Sequence, residues 1–236
     1  MRLICSLILI LIFHMPSFAQ STEEPKVSWF DDFLGIRINP TYAISLAGTG
    51  EVMISEGENG IVALYATSLA PGTARLRLGE EPGNSPYNAL NFSAKKNLVY
   101  KARVFLNRNT DIQATVGLTG LNDPQNVLAL VFDHPLSNEG WYFQAINEGR
   151  NSTIPIGFIH PVGRYFTVRI ETEWGEIPVA KVFINDESEP RATITGDYIP
   201  VSGLCGEFQV WNRRIEDGSY SQPTLYVDYL SIVQNR

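Results

Sequence analysis

The sequence predicts an all-β fold built as a sandwich of two antiparallel sheets, and three observations carry this. Period-two alternation recurs along nearly the whole chain, most clearly in RYFTVRIETEWGEIPVAKVFIND, residues 164 to 186. There Phe166, Val168 and Ile170 point one way, and Thr167, Arg169, Glu171 and Glu173 the other. Gly, Pro, Asn and Asp divide the runs at short intervals, and helical periodicity is nearly absent. At 236 residues the chain is long for an immunoglobulin-type sandwich, which needs about 100 residues, and suits a single jelly-roll domain better.

Taken in order, the chain opens with a targeting segment. Arg2 gives a positive start, Leu3 to Phe13 is almost unbroken apolar sequence, and Ser17-Phe18-Ala19 resembles a cleavage site. The apolar run is too short to cross a bilayer, so residues 1–19 are expected to be a signal peptide. Residues 20–28 are polar and read as a flexible leader, leaving 29–236 as the domain. Trp29 to Phe33 is a short aromatic and acidic opening. Strands are expected at 51–54, 60–66, 74–79, 88–93, 98–107, 112–118 and 127–132. The last is apolar on both faces, which predicts a strand covered on both sides. Further strands are expected at 141–147, 154–159, 191–195, 207–212 and 225–233, around a hairpin whose loop is marked by Gly175.

Composition excludes several classes. Without its first 19 residues the chain has 17 basic and 25 acidic side chains, a net charge of −8, and no basic cluster longer than a pair. Nucleic acid and anionic membrane are therefore not expected partners, nor is membrane insertion once the leader is removed. Cys5 would leave with the leader, so the remaining Cys205 has no disulfide partner and reads as a small buried residue. The expected location is secreted, periplasmic or on the cell surface.

Three stretches resemble the concanavalin A-like lectin/glucanase superfamily, particularly its laminin-G-like members. They are FDDF with the Gly-punctuated GTGEVMISEGENGIVAL after it, the hairpin RYFTVRIE…VAKVFIND, and the closing LYVDYLSIV with Asp228. The resemblance implies a jelly roll, a fold that carries lectins, hydrolases, lyases and inert spacers alike. It also bears on Glu171-Thr172-Glu173-Trp174-Gly175-Glu176, which is similar to the superfamily's glucanase signature Glu-x-Asp-x-x-Glu. A retaining glycosidase needs two carboxyl groups about 5 Å apart, and Glu171 and Glu173 share a strand face. Here Glu173 stands where the signature has Asp, Gly175 places Glu176 beyond the strand, and in the laminin-G-like pattern this hairpin belongs to the outer sheet.

The other chemistries have less to stand on. No G-x-S-x-G elbow is present, and His134 and His160 are far apart in sequence. Two distant His and one Cys do not make a zinc site. No cofactor is expected; calcium is an option at Asn122-Asp123 and Asn185-Asp186-Glu187, whose oxygens suit it, and plain turns are the other reading. Asp31, Asp32 and Asp228 read as structural, Asp228 sharing a face with Leu230 and Ile232 as a buried acid.

A binding face emerges from alternation. In GEFQVWNRR, Phe208 and Val210 point inward, and Glu207, Gln209, Trp211 and Arg213 share the opposite side. In GWYFQAINEG, Trp141 and Phe143 take one side and Tyr142, Gln144, Ile146 and Glu148 the other. If both strands line the concave sheet, Trp211 and Tyr142 can stack on sugar rings while Gln144, Gln209 and Arg213 bond to hydroxyls. The competing reading is a loop sealing Trp211. The sequence thus points first to a secreted, non-catalytic domain that binds a glycan or polysaccharide. A glycosidase or lyase of the same fold using Glu171 and Glu173 is one alternative, and a structural or adhesive surface module is the other.

Overall fold

A computed structural model describes residues 26–35, 37–48, 50–54, 60–66, 72–78, 91–120, 125–134, 140–201, 203–212 and 222–236. Two antiparallel sheets pack face to face as a jelly-roll sandwich. With strands numbered in chain order, the first sheet runs β13 (Ala192–Thr195), β12 (Val179–Ile184), β11 (Phe166–Glu173), β6 (Val99–Leu106), β15 (Thr224–Asn235), β4 (Val62–Tyr65), β3 (Glu51–Ile54). β1 (Lys26–Asp31) lies against the far half of β15. The second sheet runs β10 (Arg150–Pro155), β9 (Trp141–Asn147), β8 (Val127–Asp133), β7 (Ile112–Gly120), β14 (Leu204–Asn212), β5 (Thr73–Leu78), β2 (Tyr42–Ala47).

The alternating apolar positions meet between the sheets. Tyr100, Ala102, Val104 and Leu106 of β6, Phe166, Val168 and Ile170 of β11, and Leu225, Val227, Leu230 and Ile232 of β15 face Val116, Leu118, Leu128, Leu130, Trp141, Phe143, Phe208 and Val210 of the second sheet; all are buried. Trp141 anchors one end of this core. Its indole N–H donates to Nδ1 of His160 at 3.0 Å, so the His160 proton sits on Nε2 and faces the Arg108 carbonyl at 3.3 Å. Phe132 packs edge-on to the same imidazole. Burial holds the His160 pKa below its ordinary value.

Several expectations are corrected. The leader ends earlier than residue 28, because Lys26 to Ser28 already pair with Val233 to Asn235. Of the strand expected at 88–93, Phe92 makes an isolated bridge to Leu204 and Ala94–Lys96 forms a 3₁₀ turn; 88–90 lie outside the described residues. β2 had no counterpart in the expected elements. β10 begins four residues before its expected start, because Glu148 and Gly149, both at positive φ, make a two-residue hairpin turn from Asn147 to Arg150. A bulge between Val227 and Tyr229 resets the alternation of β15. Asp228 is consequently not a buried acid beside Leu230; it faces out from the first sheet and pairs with Arg103. Finally, β8 is central but covered on one side only. Leu128, Leu130 and Phe132 enter the core, while Val127 and Val131 remain half-buried on the opposite face.

Candidate functional site

That opposite face of the second sheet carries the site. Antiparallel register lines its outward residues into rows across the strands. One row is Gln144 (β9), Ala129 (β8), Gly117 (β7), Glu207 (β14) and Arg77 (β5). The adjacent row is Tyr142, Val131, Thr115, Gln209 and Arg75. On the other flank lie Ile146, Val127, Thr119 and Cys205. Arg75, Gln113, Thr115, Thr119, Val127, Val131, Gln144, Glu207 and Gln209 line a cavity of about 290 Å³. Its floor is low at the centre because position 117 has no side chain. A Cβ there would come within 2.5 Å of the Ala129 Cα, so glycine is required by the close approach of β7 and β8.

The carboxylate of Glu207 is the electrostatic centre. It is 2% exposed although it faces away from the core. Its Oε2 accepts from the Thr119 hydroxyl at 2.6 Å and from Nη2 of Arg75, with Nε of Arg77 at 3.7 Å. Arg77, 5% exposed, also donates to Cys205 Sγ at 3.0 Å and to the Gly120 carbonyl. Burial raises the pKa of the Cys205 thiol, which keeps it protonated and unreactive. Two guanidiniums thus share one carboxylate, and three glutamines with two threonines supply neutral donors and acceptors around them.

The structure sorts the residues singled out from the sequence. Gln144 and Gln209 both line the cavity, and Gln144 Nε2 also donates to Thr153 Oγ1 at 3.3 Å. Tyr142 and Trp211 face the same side, on β9 and β14, three strand spacings and one row apart, about 16 Å between their backbones. They flank the lined region without joining its wall, Tyr142 half-buried and Trp211 36% exposed. Arg213 lies outside the described residues. Glu171 and Glu173 project from the outer face of the first sheet, across the sandwich from the cavity. Glu171 accepts from Arg169 at 2.7 Å, Glu173 from Lys181 at 2.5 Å, and Glu176 is exposed in the following loop. His134 Nδ1 accepts from the Asp111 amide at 3.1 Å. Of the two calcium options, Asn122-Asp123 lies outside the described residues. Asn185, at positive φ, accepts from the Thr167 amide, while Asp186 and Glu187 pair with Lys101 and Arg191. That set works as a turn. Asp31 closes a local turn by accepting from the Phe33 amide at 2.7 Å.

Arg75, Arg77, Thr115, Thr119 and Gly117 were not singled out from the sequence. The signal for the arginines was present in TARLRLG, where Ala74, Leu76 and Leu78 take the core side.

No protein-family model matches this sequence, and no curated protein matches it. Solved structures do match in shape. A β-1,3-glucanase from Mycobacterium marinum is similar at a TM-score of 0.60 and 10% identity, over 89% of this chain and 99% of that one. An endo-β-1,4-glucuronan lyase from the fungus Trichoderma reesei is similar at 0.58 and 9%, over 88% and 95%. The carbohydrate recognition domain of Emp47p is similar at 0.57 and 12%, over 89% and 95%. Identities this low speak to architecture alone. Strand order, sheet pairing and these likenesses agree that the chain has the concanavalin A-like jelly-roll fold.

Proposed function

We propose that the outer face of the second sheet binds a polysaccharide, and that recognition rather than bond cleavage is its role. The observation that carries this is the makeup of the cavity. Three glutamines and two threonines can exchange hydrogen bonds with sugar hydroxyls, beside an apolar strip of Val127 and Val131 that suits the C–H face of a ring. Glycoside hydrolysis by the usual route needs a pair of carboxyl groups flanking the bond, about 5 Å apart for retention and about 6.5–9.5 Å for inversion. Among the described residues that line the cavity, Glu207 is the sole carboxylate, and it is bound to Thr119 and the arginines. Glu171 and Glu173 face away from it.

A second reading has its own support: the similar structures are mostly polysaccharide-degrading enzymes, one of them a lyase. Elimination needs a cation to neutralise a sugar carboxylate and a base to take the neighbouring proton; Arg75 offers the cation, and Tyr142, four strand spacings or about 19 Å along the same row, is too far from it to be the base on the same sugar. We place the protein outside the cytoplasm on the strength of the expected leader at 1–19.

The test is affinity electrophoresis of residues 20–236 against soluble polysaccharides, with Gln209→Ala and Gln144→Ala alongside. Retarded migration that both variants lose supports the groove. Migration unaffected by every polymer refutes it. Release of reducing ends, or of an unsaturated product absorbing in the ultraviolet, would replace recognition by catalysis.

A further inference from the structure

We infer that the groove is selective for an anionic polysaccharide, one carrying uronic acid carboxylates, and that Arg75 is the residue that receives the carboxylate. This deepens the polysaccharide reading and rests on it. The first ground is charge. Among the described residues of these rows, Arg75 and Arg77 face the cavity side together with Glu207, two positive charges against one negative. Asp133 lies on the same face but is not part of the cavity lining. The remaining acceptors of Arg77 are neutral, the Cys205 sulfur and the Gly120 carbonyl. Buried charge without a counter-ion is costly, and a chain of formal charge −7 has no general shortage of acids. The surplus positive charge has been left in one place.

The second ground is which arginine can move. Arg77 is held behind the wall at 5% exposure. The Arg75 side chain is 20% exposed and lines the cavity. Its Nη2 is engaged with Glu207, while its Nε is buried without a hydrogen-bond partner among the described residues. Nε and Nη2 together make the fork that takes a carboxylate with two parallel bonds; Nε is buried as it stands, so the fork opens to the groove when Arg75 turns out of its pairing with Glu207. Glu207 keeps Thr119 and Arg77 if Arg75 turns to a ligand. The third ground is the neighbourhood. Gln209 sits directly across from Arg75 in register and Thr115 follows it, so a uronate ring held by Arg75 would present hydroxyls to both.

The experiment compares a homopolymer of glucuronic acid with the same polymer after carboxyl reduction, by isothermal titration against residues 20–236. Removing one charge-assisted pair is expected to weaken binding about tenfold or more. The acidic polymer should therefore bind at least that much tighter than the reduced one, and the difference should shrink in molar salt. Arg75→Gln should abolish the preference and leave both polymers weakly bound. Arg75→Lys, a point charge without the fork, should recover part of it. Glu207→Gln retains an acceptor for Thr119 and leaves both guanidiniums uncompensated, so it should tighten the acidic polymer. A folded Glu207→Gln variant that binds it more weakly would overturn the assignment. Equal binding of the two polymers by the wild type would also overturn it while leaving a polysaccharide groove in place. Binding of neither polymer, with a neutral glucan bound instead, would again refute the charge selection alone. Binding of no polymer at all would refute both readings.

Discussion

Truncating Glu207 to alanine strands two guanidiniums in a site that excludes most solvent. Arg77 is 5% exposed and its counter-ion would be gone, leaving only the neutral Cys205 sulfur and Gly120 carbonyl. Breaking a buried pair by removing one partner costs about 3–5 kcal/mol. The Thr119 hydroxyl, 2% exposed, loses its acceptor as well, for about 1 kcal/mol more. Arg75 is a fifth exposed and can turn toward water, which brings the sum back to about 3 kcal/mol. For a domain of this length each kcal/mol moves the melting temperature by roughly 2–4 °C, so the variant should melt about 6–12 °C lower. Equilibrium urea unfolding followed by tryptophan fluorescence, together with calorimetry, reads this directly. Replacing Glu207 and Arg77 together by methionine should recover much of the loss, because the desolvation cost disappears with the charges. A Glu207→Ala variant within about 0.5 kcal/mol of the wild type, the usual range for surface changes, would show that these charges are solvated and that the electrostatic account of the groove is wrong.

Other outcomes follow from the same geometry. Gly117→Ala pushes a methyl into the Ala129 backbone and should cost about 1–3 kcal/mol, measured by urea midpoint, with weaker polysaccharide retention because the floor rises. Trp141→Ala empties the largest fully buried side chain and should cost about 3–5 kcal/mol by the same assay. His160 is neutral in the fold and its pKa is depressed by burial, so its contribution is complete above the unfolded value of about 6.5 and declines as pH falls through that value toward the folded one. Urea midpoints should therefore fall between neutral and mildly acid pH, and His160→Gln should flatten that part of the slope. Glu171→Gln, on the far side of the sandwich, should leave polysaccharide binding unchanged in the titrations that Gln209→Ala impairs.

Alternation in the sequence was sufficient to assign side chains to faces, and insufficient to assign faces to neighbours. Trp141 and Phe143 inward with Gln144 outward, or Phe208 and Val210 inward with Gln209 outward, follow from period two within a single strand. Arg75 meeting Glu207 does not, because the two are 132 residues apart and only the pairing of β5 with β14 brings them together. Asp228 was misplaced for the opposite reason. A bulge adds one residue to the phase, and nothing in LYVDYLSIV marks it. β2 escaped notice because its alternation is of large with small residues, not of apolar with polar: Tyr42, Ile44 and Leu46 are separated by Ala43, Ser45 and Ala47, and at this edge only Tyr42 is buried. The apolar sequence of β8 suggested a second covering layer. Part of that apolar surface instead lines the groove, where a ligand would supply the cover.

The fifteenth of the described strands does not sit at a border. β15 lies inside the first sheet, bonded to β6 on one flank and to β4 and β1 on the other, and Asn235 pairs with Lys26. Until β15 leaves the ribosome, β6 and β4 each present an unsatisfied edge, and the first sheet cannot close over the second. Such long-range closure is slow, and it comes last by construction. Vectorial synthesis therefore yields an open half-sandwich until β15 has emerged, and deleting β15 should leave a chain for holdases to bind and proteases to clear.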